Sequence, residues 1–387
     1  MKKRLVAIMI SSITVLALSG CYPTEKKVNE NTSSTAFESA PLDNSHFECS
    51  KENLTVSFDF PDIPDELPSR IKLKEKIFDH QQAIELFFDG EAPISEYLYG
   101  VNEECGQYTA RDGSELTIEE NLIRYYSGKT LNRESGFELK FPVSYLSVTR
   151  VCKEYMRDMY SIAGDELEGF PLQGALDSAM NLISKLGITG YGEPQIYAFS
   201  LASYEKMKHN ETYMFNEEYP LTKDNEIYIF EFPQLFSGIK VSDLKGVDVK
   251  DSTSEWDALI ESSSITVGVS KDGVFAFYVD EVYETDGEVL STEPAKYDLS
   301  YAVSEFEKYL NKAYFTQTKA VTINNAEILY YPVERNETNT VEFMPAWVFE
   351  GYGSDMEMAA KLGHMSFWDV RYIVNIDVGV VREYSEV

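Results

Sequence analysis

The sequence predicts an α+β fold in which antiparallel sheets are each covered by a helix, with a helix-then-meander unit used at least twice. Two observations carry this prediction. An apolar stripe with the 3.6-residue period of a helix occurs in two segments, and each stripe is followed by short segments with strand character. Aromatic residues make up 13% of the 387-residue chain, including 26 Tyr and 22 Phe, and this content favours strand-rich packing.

The first unit begins with an apolar stripe over residues 176–186. Gly187 follows it, at the place where a helix C-terminus commonly has a glycine. Residues 196–204 and 227–232 then have strand character, and residues 265–279 predict a hairpin closed by an Asp-Gly turn. We therefore expect one helix lying on an antiparallel meander.

The second unit repeats this order near the C-terminus. An apolar helical face spans residues 299–313, and candidate strands follow at 326–331, 341–350 and 372–381. The same order in two places indicates an internal structural repeat. A sheet with one face under its helix leaves the other face free to bind a partner.

The N-terminal part is expected to form a further α+β domain. Alternating apolar residues predict strands at 54–60 and 71–77. Asp79 can cap a short helix from His80 to Phe88.

A capping-box pattern predicts a second helix in this part of the chain. Thr117 is followed three residues later by Glu120, and this spacing opens a helix near Ile118–Tyr126. Residues 137–148 then return to strand character.

The first 21 residues have the organisation of a secretory signal peptide. Basic residues at positions 2–4 precede a mostly apolar run over 5–18, which ends in Leu-Ser-Gly-Cys at 18–21. This ending resembles the lipobox of bacterial lipoproteins. The resemblance implies cleavage before Cys21, diacylglycerol on the Cys21 thiol, and a mature protein held at the outer face of the cell membrane. Two acyl chains hold a protein stably at a bilayer, whereas one binds only marginally.

The chain is expected to divide into five segments. Residues 1–20 are the signal peptide, and residues 21–48, which have no helical or strand period, form a flexible tether. An N-terminal α+β domain is expected at 49–165, a middle helix-plus-sheet unit at 166–290 and a C-terminal unit at 291–387. The pattern leaves open whether the last two units form one domain.

The chain is strongly acidic. Asp and Glu number 65 against 34 Lys and Arg, for a formal net charge of −31, and loss of the signal peptide removes three positive charges. Such a surface repels nucleic acid, so nucleic acid is excluded as a partner. The expected partners are the membrane, through lipid on Cys21, and an envelope protein or peptide.

No metal or cofactor site is predicted. The chain has no Cys-x-x-Cys, and none of its four histidines is paired at i, i+4. Beyond Cys21, the cysteines Cys49, Cys105 and Cys152 allow either one disulfide and one thiol or three thiols.

The catalytic patterns in the chain are incomplete. Ser203 and Lys206 have the Ser-x-x-Lys spacing in which a lysine takes the proton of a nucleophilic serine, but no Ser-x-Asn or Lys-Thr-Gly follows. Acidic pairs are scattered along the chain, and no pattern brings two of them into one cleft. We therefore expect a non-enzymatic protein, and a wall hydrolase is the weaker alternative.

Three C-terminal segments together resemble the sequence pattern of a known family. Residues 326–332 contain paired aromatics, residues 344–349 contain Pro-Ala-Trp, and residues 372–379 end in a glycine. Together they resemble the PepSY-type modules of Gram-positive secreted proteins, over roughly residues 295–381. The whole chain also resembles uncharacterised lipoproteins of anaerobic Gram-positive bacteria. PepSY-type modules are associated with protease inhibition or regulation at the cell surface, and they offer no catalytic residues to carry over.

These observations predict a membrane-anchored binding or regulatory protein of the cell envelope. The expected contact surface is the free face or edge of the C-terminal sheet, with large aromatic side chains at Trp347, Tyr330, Tyr331 and Trp368. The alternative is a binder of wall glycan or small solute that places Tyr and Trp rings against sugar faces.

Overall fold

The structure is a computed structural model that describes residues 46–51, 53–60, 68–100, 105–119, 121–128, 161–162, 167–203, 222–241, 264–290, 298–312, 319–336, 340–355, 366–376 and 381–385. Several features predicted from the sequence lie outside these residues. They are the signal peptide with Cys21, the tether up to residue 45, the strand at 137–148, Cys152 and Lys206.

Nineteen strands are described. In chain order they are β1 (His46–Lys51), β2 (Leu54–Asp59), β3 (Ile71–Glu75), β4 (Ser95–Tyr99), β5 (Cys105–Thr109), β6 (Glu115–Glu119), β7 (Leu122–Tyr126), β8 (Ser161–Ile162), β9 (Gln195–Phe199), β10 (Ile227–Pro233), β11 (Leu235–Phe236), β12 (Ile239–Val241), β13 (Ser264–Ser270), β14 (Gly273–Asp280), β15 (Tyr283–Val289), β16 (Lys319–Asn336), β17 (Thr340–Asp355), β18 (Ser366–Asn375) and β19 (Val381–Ser385). β1 begins at His46, so the expected tether ends earlier than residue 48.

Three α-helices longer than one turn are described: α1 (His80–Phe87), α2 (Leu172–Lys185) and α3 (Leu299–Lys312). The predicted cap of α1 is confirmed, because the Asp79 carboxylate accepts a hydrogen bond from the Gln82 N–H at 2.7 Å. The predicted glycine after α2 is also confirmed, because Gly187 has φ +66°.

The strands form two large sheets, and the predicted α+β class is therefore wrong: the protein is mostly β-sheet. The ten-stranded sheet, sheet A, follows the path β1-β2-β16-β17-β18-β19, with β3, β11, β12 and β15 attached beside it. The nine-stranded sheet, sheet B, has the order β4-β5-β6-β7-β14-β13-β10-β9-β8. The separate helix-covered units that the element order suggested are replaced by these two extended sheets.

The sheets are assembled from strands that are far apart in the sequence. In sheet A, the N-terminal β2 pairs in parallel with the C-terminal β16, with Leu54 opposite Val321. In sheet B, β7 pairs with β14, with Tyr125 opposite Phe277. Hydrophobic periodicity identifies each strand, but it does not show which distant strand becomes its neighbour.

The helix predicted near Ile118–Tyr126 is also wrong. This segment contributes to the paired strands β6 and β7, in which Ile118 is opposite Ile123. Leu116, Ile118, Ile123 and Tyr125 are all buried on the side of sheet B that carries the helices. Burial of the alternating apolar residues in these strands therefore outweighs the local preference of the capping-box pattern for a helix.

Each helix packs on a sheet through apolar side chains. Residues of α1 and α2 share one core with the strands of sheet B. α3 packs on sheet A, where the ring of Phe306 stacks on that of Phe349 with centroids 4.4 Å apart and an interplanar angle of 6°. The placement of α1 and α2 matters most here, because their ends form one side of a cleft.

Candidate functional site

A cleft of about 460 Å³ lies at one end of sheet B. It is lined by α2, by the end of α1 and the residues after it, and by two hairpin tips, the β5–β6 turn and the β13–β14 turn. We call it the α1–α2 cleft. Its volume is within the range of about 300–1,000 Å³ that is usual for small-ligand sites.

Aromatic rings form the floor of the α1–α2 cleft. The rings of Phe87 and Tyr125 stack with centroids 4.6 Å apart and an interplanar angle of 26°. Phe275 and Leu182 also line it, and all four residues are at most 8% exposed. Because these four side chains are already buried, they give a ligand a fixed apolar base to contact and only a small further area to bury.

The hydroxyl of Tyr125, one of the floor residues, is held in its neutral, protonated form. Burial raises the pKa of Tyr125 above its ordinary value of 10.0, and hydrogen bonds with Ser114 and Ser127 offset part of this effect. The carboxylates of Asp112 and Asp89 act on the same hydroxyl and raise its pKa further. These carboxylates are therefore close enough to shape the electrostatic potential over the aromatic floor.

The β5–β6 turn is fixed by backbone contacts. The Asp112 carboxylate accepts a hydrogen bond from the Ser114 N–H at 3.0 Å, and the Ser114 hydroxyl accepts one from the Gly128 N–H at 2.9 Å. Gly113 has φ +87°. A Cβ on Gly128 would lie 2.2 Å from the Asp112 carbonyl oxygen, so only glycine fits there.

The β13–β14 turn forms the opposite rim. The predicted hairpin is confirmed, and its two-residue loop is Lys271 and Asp272, with Gly273 at φ +111°. The Ser270 hydroxyl accepts from the Asp272 N–H at 3.3 Å and donates to the Gly273 carbonyl at 3.2 Å.

A third turn follows α1. Asp89 has φ +52° and Gly90 has φ +78°, so the chain reverses within three residues after the helix ends at Phe87. Asp is one of the few side chains that adopt this left-handed conformation at modest cost. The reversal brings Asp89 and Glu91 to the rim of the α1–α2 cleft.

The charged residues around the rim are mostly acidic. The carboxylates of Asp89, Glu91, Asp112 and Asp272 line the cleft, and Lys185 is the one basic residue among the residues that line it. No His or Cys belongs to this lining. Of the described residues, no three His, Cys, Asp or Glu side chains are grouped so that they could hold a metal ion.

The aromatic residues expected to contact a partner lie elsewhere. Trp347 is 1% exposed, Tyr330 2% and Tyr331 7%, so all three side chains are core residues of sheet A. The backbone of Trp368 pairs with Gly353 in sheet A, and its side chain is outside the described residues. The sequence predicts a binding surface here because large aromatic residues cluster, but these side chains are buried among other residues of the sheet A core.

Ser203, the serine of the Ser-x-x-Lys pattern, is 5% exposed. Its hydroxyl lies 3.2 Å from that of Ser200. The cleft residues had weaker signals in the sequence: both rim hairpins contain an Asp-Gly turn, but only the sheet shows that the two turns lie at the same end.

None of the described helices has the length and apolar character that a membrane span requires. No protein-family description matches the chain, and no curated protein matches its sequence. Seven chains among solved structures are similar in fold. One is the crystal structure, at 1.45 Å resolution, of an uncharacterised protein from Eubacterium rectale ATCC 33656. It shares 14% identity with a TM-score of 0.61, over 89% of this chain and 94% of that one, a likeness that shows the fold alone.

Proposed function

We propose that this protein is a non-enzymatic binding protein of the bacterial envelope, held at the outer face of the cell membrane by lipid on Cys21, and that it captures a peptide or protein partner in the α1–α2 cleft. The observation that carries the binding site is the cleft itself. Its floor is apolar and aromatic, and its rim is polar, as in most pockets that bind small groups.

The arrangement of the rim supports a preformed site. Each of its turns is fixed by hydrogen bonds or by residues with positive φ: Ser114 with Gly128, Ser270 with Gly273, and Asp89 in the left-handed region. A preformed site loses little conformational entropy when a ligand binds. The cleft is thus suited to recognition of a defined group.

The chemistry of the cleft favours binding over catalysis. A serine nucleophile needs an adjacent base that takes its proton, but the hydroxyl of Ser178, which lines the cleft on the same helix as Lys185, donates to the Gly174 carbonyl at 2.9 Å. The Ser114 and Ser270 hydroxyls bond backbone groups of their own turns, and the Tyr125 hydroxyl is kept protonated. These groups can orient a ligand, but they are not arranged to activate one.

The test is cross-linking of the full-length protein in cells, followed by recovery and mass spectrometry. Asn181, an exposed residue of α2 that lines the cleft, is changed to Trp to fill it. Ser184→Trp, on the same helix and outside the lining, is the matched control. We expect a partner recovered with the wild type and with Ser184→Trp to be lost with Asn181→Trp.

The same experiment can contradict the proposal. If Asn181→Trp recovers the same partner as the wild type in equal amount, the cleft is not the binding site. If a purified partner is turned over by the protein, the non-enzymatic assignment fails.

A second candidate, binding of wall glycan, is favoured by a different observation. Tyr97 on β4 is 63% exposed, and its ring stacks with that of Tyr99 at 5.7 Å and 22°. Gln107 is exposed directly opposite Tyr97 on β5. Stacked rings beside an amide are suited to a sugar face and its hydroxyls. Binding of soluble wall fragments that is lost in Tyr97→Ser and kept in Asn181→Trp would favour this candidate.

A further inference from the structure

The α1–α2 cleft has a charge pattern that selects one class of ligand. Asp89 and Glu91 approach it from the turn after α1, Asp112 from the β5–β6 turn, and Asp272 from the β13–β14 turn. Because they come from three separate turns, these carboxylates surround the aromatic floor on several sides. A positive group above the floor would be attracted from each of them.

Among the described residues, three of the rim carboxylates form no ion pair. Within the described residues, no ion pair joins Asp89, Glu91 or Asp272 to a basic side chain. Lys271, the neighbour of Asp272 in the turn, instead has its ammonium 3.3 Å from the Asp224 carboxylate. Within the part of the chain that the structure describes, no basic partner therefore offsets the negative charge at these three positions.

The apolar lining of the cleft suits the methylene stem of a lysine or arginine side chain. Leu86 and Val274 line the cleft together with the Phe87–Tyr125 floor, and both are half-buried, so they offer apolar surface for a chain of methylene groups. The neutral Tyr125 hydroxyl adds a polar atom near the carboxylates of Asp89 and Asp112.

We propose that the α1–α2 cleft binds the lysine or arginine side chain of a peptide, with its methylene stem on the Phe87–Tyr125 floor and its charge among the rim carboxylates. This inference rests on the proposed function and names the chemistry of its ligand. The formal net charge of the chain, −31, would also steer a basic peptide toward the protein.

Lys185 distinguishes a peptide from a free polyamine. It lies on the last turn of α2 and lines the cleft, where its ammonium would repel a second positive group. A peptide offers carbonyl oxygens beside its basic side chain, and Lys185 can donate hydrogen bonds to them. The mixed charge of the site thus fits one basic side chain on a polar backbone.

The test measures binding of fluorescein-labelled peptides to the full-length protein in detergent, by fluorescence anisotropy. Each probe is a Gly-Ser peptide with one central residue: lysine, arginine, glutamate or norleucine. Norleucine keeps the lysine stem without the charge. We expect the lysine and arginine peptides to bind about 5- to 30-fold more tightly than the norleucine peptide, and their affinity to fall with added salt.

Two double variants distinguish the effect of the rim carboxylates on binding from the effect of the overall negative charge of the protein. In Asp89→Asn/Asp272→Asn, two rim charges are removed, and asparagine tolerates the positive φ of position 89. In Asp177→Asn/Glu193→Gln, two exposed charges outside the cleft lining are removed. We expect the first variant to weaken the lysine peptide about 5- to 30-fold and the second to change it less than about twofold. Equal thermal unfolding curves will show that both variants are folded.

Each other result overturns the inference. If the lysine and norleucine peptides bind equally, or if the two double variants have equal effects, the cleft does not select a cationic side chain. Spermidine that displaces the lysine peptide at equal concentration shows that free amines are the ligand. If no peptide binds but cross-linking to the partner still depends on Asn181, the inference fails and the proposed function stands. If that dependence is also absent, both fail.

Discussion

The side-chain amide of Gln234 bonds both backbone polar groups of Tyr283. Its Oε1 accepts from the Tyr283 N–H at 3.0 Å, and its Nε2 donates to the Tyr283 carbonyl. Gln234 stands where the chain passes from β10 in sheet B to β11 in sheet A, and Tyr283 where it passes from β14 in sheet B to β15 in sheet A. One buried amide therefore joins two crossings between the sheets.

Gln234→Leu should strongly destabilise the protein. Gln234 is 1% exposed and Tyr283 2%, so the substitution leaves two backbone groups of Tyr283 without this partner and away from water. Each buried polar group left unsatisfied costs about 1–3 kcal/mol, and we expect a loss of about 2–4 kcal/mol in the free energy of unfolding. Denaturation with urea measures it.

Gln82→Leu is the matched control for that substitution. The Gln82 amide also donates to a backbone carbonyl, that of Lys185, at 2.9 Å, but it is exposed to solvent. Water can replace its hydrogen bond, so the loss should stay below about 1 kcal/mol. Similar losses in the two variants would show that the buried junction has no special role in stability.

The elements of the fold were more predictable from the sequence than their arrangement. The caps of α1 and α2 depend on residues within one turn of the helix, Asp79 and Gly187, and both were recognisable. The pairing of β2 with β16 joins residues more than 260 positions apart, and local periodicity contains no information about it. Two extended sheets therefore replaced the predicted helix-covered units.

In the candidate site, too, the local elements were predictable from the sequence, but their arrangement was not. The Asp-Gly turn of the β13–β14 hairpin was recognisable, because Gly273 supplies the positive φ that a tight turn requires. The stacking of Phe87 on Tyr125 was not, since it depends on α1 crossing a sheet whose β6 and β7 were partly predicted as helix. The sequence predicts a contact at Trp347 because it is a large aromatic residue, but the sequence does not distinguish a buried tryptophan from an exposed one.

Two glycine-to-alanine substitutions should change stability in opposite directions. A Cβ on Gly351 of β17 would lie 1.8 Å from the carbonyl oxygen of Thr322 on the neighbouring β16. Gly351→Ala must push the two strands apart, and we expect a loss of about 1–3 kcal/mol. Gly174 lies in α2 with nothing within 4 Å of its Cβ position, so Gly174→Ala should gain roughly 0.5–1 kcal/mol.

Thermal and chemical unfolding of both alanine variants will measure this difference. The substitution adds the same methyl group in each case, so hydrophobicity alone predicts shifts of the same sign. A stable Gly351→Ala protein would mean that β16 and β17 pair less closely than the structure shows.

Stability should fall at alkaline pH because Tyr125, which is buried, and Tyr99, which is half-buried, resist ionisation. Burial raises the pKa of Tyr125, and burial together with a hydrogen bond to the Glu119 carboxylate raises that of Tyr99, whereas tyrosines in the unfolded chain ionise near pH 10. Above pH 10 the folded state therefore binds more protons than the unfolded state, and the free energy of unfolding decreases as pH rises. Below pH 10 these residues should make no contribution to the pH dependence.

Urea denaturation from pH 8 to pH 11.5 will test this sign. One proton contributes at most about 1.4 kcal/mol per pH unit. Tyr125→Phe and Tyr99→Phe should each make the decline less steep, and the double variant should flatten it further. A decline equally steep in all four proteins would assign the alkaline loss of stability to other groups.

The proposed lipid anchor predicts that Cys21→Ala will abolish incorporation of a labelled fatty acid. A thioether to diacylglycerol forms only on a cysteine thiol, so alanine leaves no site for the lipid. Cys49→Ala is the matched control, because Cys49 lies in β1 of the folded body and its loss leaves the Leu-Ser-Gly-Cys ending intact. Fractionation alone is a weaker measurement, since an uncleaved precursor would stay at the membrane through its apolar run. Lipid labelling combined with the mass of the N-terminal peptide separates these cases, and labelled Cys21→Ala protein would contradict the anchor.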